Sequence, residues 1–236
     1  KRKANLLTCH YHIKIINRKG HLSMKKIIVV GAGILGASTA YHLAKQDVNV
    51  TIIDRDDIGQ ATKAAAGIIG PWLAQRRNKA WYTLARLGAK YYPKLIKELS
   101  EFNETHTGYT KVGLLSLHTE EKKLIAAEER VLKRLADAPE IGDIKILNEK
   151  ETKEKFPLLE EGRFKSIYLS GAARVDGAAV RDALLRSAVK LGATTLSGHA
   201  ELLYKENQIY GVKVNEQAIE ADRVILATGA CMNEWL

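Results

Sequence analysis

An α/β fold built on a parallel sheet is what this sequence predicts, on three observations. The apolar, β-branched run Lys26 to Val30 leads straight into Gly31-Ala32-Gly33-Ile34-Leu35-Gly36, a G-x-G-x-x-G spacing at the end of a strand. A helical stripe of mostly small residues, Ala37, Ala40, Leu43 and Ala44, and then a second apolar run, Val48 to Ile53, follow at once. Far along the chain, Glu220 to Ala230 reads as another buried strand that runs into the small-residue turn Ala227-Thr228-Gly229.

The first of these segments predicts a Rossmann-like dinucleotide site, because each glycine has its own task. Gly31 turns the chain sharply out of the strand, Gly33 leaves room for a pyrophosphate, and Gly36 lets the helix lie close to the sheet. A helix that starts there points free N–H groups and the positive end of its dipole at phosphate oxygens. Asp54 ends the second run; at position 54 against 31 for the first glycine it stands 23 residues on, where a carboxylate meets a ribose hydroxyl.

Residues 55–72, RDDIGQATKAAAGIIGPW, replace the next crossover helix of a nicotinamide-binding unit with a loop rich in Ala and Gly. Gln60-Ala61-Thr62-Lys63-Ala64-Ala65-Ala66-Gly67-Ile68-Ile69 resembles the flavin-binding loop of the FAD-dependent D-amino-acid oxidase family, which includes glycine oxidase, sarcosine oxidase and D-amino-acid dehydrogenase. The turn at Ala227-Thr228-Gly229 resembles the second flavin-binding signature of the same family. The resemblance implies that Ala61 and Thr62 contact the pyrophosphate, that Gly67, Ile68 and Ile69 run beside the flavin ring, and that Ala200 lies near the adenine. The candidate cofactor-binding set is then Gly31, Gly33, Ile34, Leu35, Gly36, Asp54 and its neighbour Arg55, Ala61, Thr62, Gly67, Ile68, Ile69, Ala200, Ala227 and Gly229. Lys63 either offsets phosphate charge or faces water.

Between the signatures the sequence predicts an inserted α+β substrate domain. Asn78 to Phe102 has helical spacing, which Tyr92-Pro93 should kink or restart. Tyr109 to His118 reads as a strand, with Thr119 capping a helix behind it. Trp72, Trp81, Tyr91 and Tyr92 read as core aromatics before pocket residues, and His106 and His118 as surface or strand-edge positions. Asp176 caps a further helix that ends at Gly192, and strands follow at Thr194–Leu196, Ala200–Tyr204 and Ile209–Val214. The domain expectation is a discontinuous FAD-binding domain over 24–95 and 166–236 and part of a substrate domain over 96–165, both incomplete. Family members continue well past the Ala-Thr-Gly turn, so the expectation is a C-terminally truncated form with no assignable catalytic residue.

The chain carries 37 basic and 27 acidic residues, a net charge of +10. Residues 1–23 hold six of the basic residues and no acid, and without them 31 face 27, a net of +4. This extension reads as sequence upstream of a native start at Met24, with no signal-peptide core and no span long enough for a membrane helix. His10, His12 and His21 have no carboxylate or cysteine cluster to complete a metal site, and Cys9 and Cys231 suggest a reducing, cytoplasmic setting without a disulfide framework. Nucleic-acid binding is disfavoured because the charge lies in the extension and no recognition motif accompanies it.

The resemblance implies an FAD-dependent oxidoreductase that oxidises the C–N bond of a small amine or amino acid by hydride transfer to flavin N5. Oxygen or another acceptor would reoxidise it, and a homo-oligomer is compatible with the chain. Two alternatives stay open: a non-catalytic dinucleotide-binding module and an NAD-dependent dehydrogenase.

Overall fold

The computed structural model describes residues 15–16, 22–23, 25–46 and 48–235. The extension's histidines, Cys9 and Met24 lie outside the described residues; Ile15–Ile16 and Leu22–Ser23 pair as two short antiparallel strands. Cα packing divides the chain into two compact units, one made of the residues up to Lys63 together with Leu184 onward, the other of Ala64–Ala183.

The first unit is built on four parallel strands. β1 (Lys26–Val30) is followed by helix α1 (Ile34–Ala44), β2 (Asn49–Asp54), and, after residue 184, β3 (Thr194–Ser197) and β4 (Arg223–Leu226). Their order across the sheet is β3-β2-β1-β4, every pair parallel. Parallel strands covered on both faces need nearly continuous apolar sequence. Ile27 to Val30 and Val50, Ile52 and Ile53 are accordingly all buried. Ile28, Val30 and Ile53 point toward an antiparallel meander of Ala200–Lys205, Gln208–Val214 and Gln217–Glu220, whose Ala200, Val212 and Val214 complete that core. α1 buries Gly36, Ala37, Ala40, Tyr41 and Ala44. Tyr41 is fully buried although the small-residue stripe did not include it, and Leu43, which the stripe did include, is half-buried.

The second unit holds two three-stranded antiparallel sheets. In one, Ala173–Arg174 lies between Ile68–Ile69 and Thr110–Lys111; in the other, Lys165–Leu169 lies between Leu114–His118 and Ile144–Leu147. The amphipathic helix Glu121–Leu135 buries Leu124, Ala127 and Val131 with Ile167, Leu169 and Trp72. Trp72 is thus a core residue, while Trp81, Tyr91 and Tyr92 are half-buried. Of the two histidines read as surface or strand-edge positions, His106 is exposed and His118, half-buried, ends the edge strand Leu114–His118.

Local details depart from the sequence reading for identifiable reasons. The helix Lys79–Glu101 continues through Pro93 without restarting; Pro93 is exposed, so the helical hydrogen bond it cannot donate is lost on a wet face. The strand expected over Tyr109 to His118 is broken between Lys111 and Leu114, because Gly113 takes φ +75° against the ring of Tyr168. The helix expected to start after Thr119 has Glu120 at its N-cap, with no side-chain capping bond. The run read as one strand from Glu220 is two, since Glu220 ends the meander and β4 starts at Arg223. Packing places 64–95 and 166–183 with the second unit, whereas the sequence reading divides function at 95/96 and 165/166. The strands Ile68–Ile69 and Ala173–Arg174 pair with each other, which draws these flanks together.

Candidate functional site

All four parallel strands of the first unit end on the same side, and the loops that leave them line an open cleft. This is the carboxyl edge of an open α/β sheet, where such folds bind ligands. Val30, Gly31 and Gly33 line it from the first strand and its loop, Asp54, Arg55 and Asp57 to Thr62 from the second, Gly198 to Ala200 from the third, and Ala227 to Cys231 with Trp235 from the fourth.

The first loop is held in place by its neighbours. The Gly31 N–H donates to the Ile53 carbonyl at 2.8 Å, and the Ala227 N–H to the Val30 carbonyl at 2.7 Å. Gly31 has φ +98°, and a Cβ there would lie 2.4 Å from the Ala227 carbonyl oxygen. A Cβ on Gly36 would lie 1.8 Å from the Gly31 carbonyl oxygen, so this glycine is needed for the helix to reach the sheet. Gly33 differs: a Cβ there meets only the Thr62 hydroxyl, at 3.5 Å, and the rest of its free side belongs to the cleft. The Ala37 N–H, donating to Gly33 at 2.9 Å, makes the first intrahelical bond, and the N–H groups before it have no carbonyl inside the helix. The Ile34 N–H finds the Thr62 Oγ1 at 3.0 Å, which leaves the Thr62 hydroxyl proton to donate elsewhere.

Asp54 stands at the end of β2, on the cleft. Its carboxylate accepts from the Ala32 N–H at 2.5 Å and from the Asp56 N–H at 2.7 Å, one bond on each oxygen, so each oxygen retains a lone pair for a ligand hydroxyl. Arg55 follows directly. Its guanidinium makes a two-pronged contact with Glu234 at 2.7 and 2.8 Å, pairs through Nε with Asp57, and donates to His199 Nδ1 at 3.1 Å. Glu234, then Asp57, raise the Arg55 pKa, and Arg55 in turn lowers that of Glu234.

Of the residues expected at a cofactor, Gly31, Gly33, Asp54, Arg55, Ala61, Thr62, Ala200, Ala227 and Gly229 line this one cleft. Ile34 and Leu35 are exposed on the first turn of α1, and Gly36 is packed against Gly31. Gly67, Ile68 and Ile69 belong to the second unit, where the Gly67 carbonyl accepts from the Val175 N–H at 3.0 Å and both isoleucines pair with Ala173–Arg174. Sequence reasoning missed Asp57, His199, Glu234 and Trp235. Arg55 and Glu234 are 179 positions apart, and neither sits in a motif. Among the described residues no three His, Cys, Asp or Glu side chains gather as a metal site, and no helix is long and apolar enough to cross a membrane.

A parallel sheet with a glycine turn, a helix N-terminus and a strand-end carboxylate at its carboxyl edge defines a dinucleotide-binding protein. The chain belongs to the DAO family of FAD-dependent oxidoreductases, whose model matches residues 26–236. It is 54% identical over 213 residues to the uncharacterized oxidoreductase YurR of Bacillus subtilis, a match covering 90% of this chain and 57% of the relative. It is 27% identical to the glycine oxidase of Pseudomonas putida, covering 90% of this chain and 57% of that enzyme. Among solved structures, iminodiacetate oxidase from Chelativorans sp. BNC1 superposes with a TM-score of 0.84 at 38% identity, covering 88% of this chain and 56% of that one. The glycine oxidase of Bacillus cereus superposes at 0.72 with 26% identity, over 87% and 55%. The chain therefore spans between half and two thirds of the length of these relatives.

The cleft fits the family's cofactor on its own geometry. The missing Cβ at Gly33 opens a cradle beside a helix N-terminus, and the carboxylate a ribose needs stands at the end of the next strand.

Proposed function

We propose that the chain carries the FAD-holding part of an enzyme that oxidises the C–N bond of a small amine or amino acid such as glycine, sarcosine or a D-amino acid. The observation that carries this reading is the meeting of Gly31, Gly33 and Asp54 on one cleft, in a chain whose family is FAD-dependent. When bound, FAD supplies a hydride acceptor at N5, so that the carbon beside a neutral amine gives up its hydride and the resulting imine is hydrolysed by water.

The chain's own residues bind and orient. Gly33 and the first turn of α1 receive the pyrophosphate, the Thr62 hydroxyl donates to it, and Asp54 accepts from the ribose. Ala200 flanks the adenine side, and Ala227 with Gly229 closes the cleft from the fourth loop. Gly67, Ile68 and Ile69 serve the flavin ring, and residues 96–165 contribute to a substrate domain. No residue is assigned a proton-transfer role, since orientation suffices for a hydride leaving a neutral amine. On this reading the 236 residues bind cofactor and do not turn over substrate by themselves. Glycine and iminodiacetate, the latter an N-carboxymethyl glycine, appear in the names of two relatives and support a glycine unit, free or N-substituted, as the substrate class.

The test is anaerobic reduction of the product of the whole gene. Flavin bands that bleach with glycine, sarcosine, iminodiacetate or a D-amino acid are expected. A colourless product that binds NAD would instead support a nicotinamide-dependent dehydrogenase.

A further inference from the structure

We propose that Glu234, Arg55 and His199 form a positioning relay at the adenosine end of the cleft. Glu234 clamps Arg55, and Arg55 fixes His199 as the tautomer protonated on Nε2, a neutral hydrogen-bond donor for the adenosine half of FAD. The proposal rests on the reading of the cleft given above.

The chemistry of the donors forces the tautomer. A guanidinium carries five N–H donors and no acceptor, so the 3.1 Å contact from Arg55 to His199 Nδ1 requires an Nδ1 that bears no proton. A neutral imidazole with a bare Nδ1 holds its proton on Nε2, and a doubly protonated ring would set donor against donor. Arg55 is itself immobilised, because the two prongs to Glu234 and the Nε contact with Asp57 occupy the planar fork. Exposed ion pairs add little to stability, so the fork matters here through what it orients.

Position supplies the ligand. Arg55 is the residue next to the ribose-side acid, and Arg55, His199, Ala200 and Asp54 line the same cleft. The His199 ring also lies 6.4 Å from that of Trp235, the neighbour of Glu234, so the segment that supplies the clamp also packs beside the imidazole. Adenosine offers acceptors at its purine ring nitrogens and ribose oxygens, and an Nε2–H donor complements them. Arg55 thus acts through His199, not as a phosphate ligand.

Two readouts test the relay in the 236-residue chain. Long-range proton–nitrogen spectra of histidine-labelled protein, with the His199 signals identified by their loss in His199→Ala, should show a bare Nδ1 and a protonated Nε2, and Arg55→Ala should give mixed tautomers. FAD affinity, followed by flavin fluorescence, should fall about five- to tenfold in Arg55→Ala and in His199→Ala, and the double variant should bind no more weakly than His199→Ala alone. If Arg55→Ala does not fold, Glu234→Gln must move both readouts in the same direction. A proton on Nδ1, or losses that multiply in the double variant, would overturn the relay while leaving the FAD site intact. A chain with the expected tautomer that binds no FAD would overturn the adenosine role together with the reading of the cleft.

Discussion

Gly33 and Gly36 come from the same G-x-G-x-x-G spacing, yet a methyl group meets different surroundings at each. At Gly36 it would collide with the Gly31 carbonyl at 1.8 Å, and neither strand nor helix can yield without losing its packing. Gly36→Ala should therefore lower stability by about 3 kcal/mol or more, read as a shift in denaturant midpoint. Asp54 does two things at once, anchoring Ala32 and Asp56 through backbone N–H groups and facing the cleft. Asp54→Ala should weaken FAD binding by about tenfold or more and also lower the melting temperature, whereas Asp54→Asn, which keeps an acceptor, should lose less of both. Unchanged affinity in Asp54→Ala would remove the ribose contact from the account. These single positions were legible because strand, glycines and terminal acid are adjacent in sequence. Arg55 was legible as the neighbour of Asp54, but its partners Glu234 and His199 were not, because 179 and 144 positions separate them from it and only the fold closes that distance.

Elements were legible where one force dominates. The buried positions of β1 and β2 are apolar because both faces of a parallel sheet are covered, and the helix Gly177–Lys190 begins where Asp176 Oδ1 accepts from the Ala179 N–H at 2.9 Å. Asp176→Ala should cost about 1 kcal/mol in equilibrium unfolding, and an unchanged midpoint would mean the cap is replaced by water. Elements were misread where tertiary contacts decide. Nothing in Tyr109 to His118 alone announces that Gly113 must bend against Tyr168, a residue on a neighbouring strand. The helix through Pro93 survives because the proline faces solvent, a fact of packing that the dipeptide Tyr92-Pro93 does not contain.

At the scale of the molecule, the fold class and the dinucleotide cleft were readable, since the fingerprint at one end of the chain and the Ala-Thr-Gly turn at the other meet as adjacent parallel strands. The boundaries of the packing units were not, because the short strand pair Ile68–Ile69 with Ala173–Arg174 joins segments that composition keeps apart. The charge of the cleft also follows from assembly. Around Arg55 three carboxylates, Asp54, Asp57 and Glu234, stand against one guanidinium among the described residues. A dinucleotide bearing a 2′-phosphate should accordingly bind at least about tenfold more weakly than its unphosphorylated counterpart, a difference that rising salt reduces; equal affinities would show that Arg55 is free to meet a phosphate.

The central claim is that Gly31 to Thr62 form an FAD site, and it is tested most directly by titrating the purified chain and its Gly33→Val variant with FAD while monitoring the visible spectrum. The wild type should develop a perturbed flavin spectrum that saturates. Gly33→Val should keep the far-ultraviolet circular dichroism of the parent, since the first added carbon meets only the Thr62 hydroxyl, and should bind no FAD. Equal FAD binding by both proteins would contradict the account, because the pyrophosphate would then lie somewhere other than over Gly33.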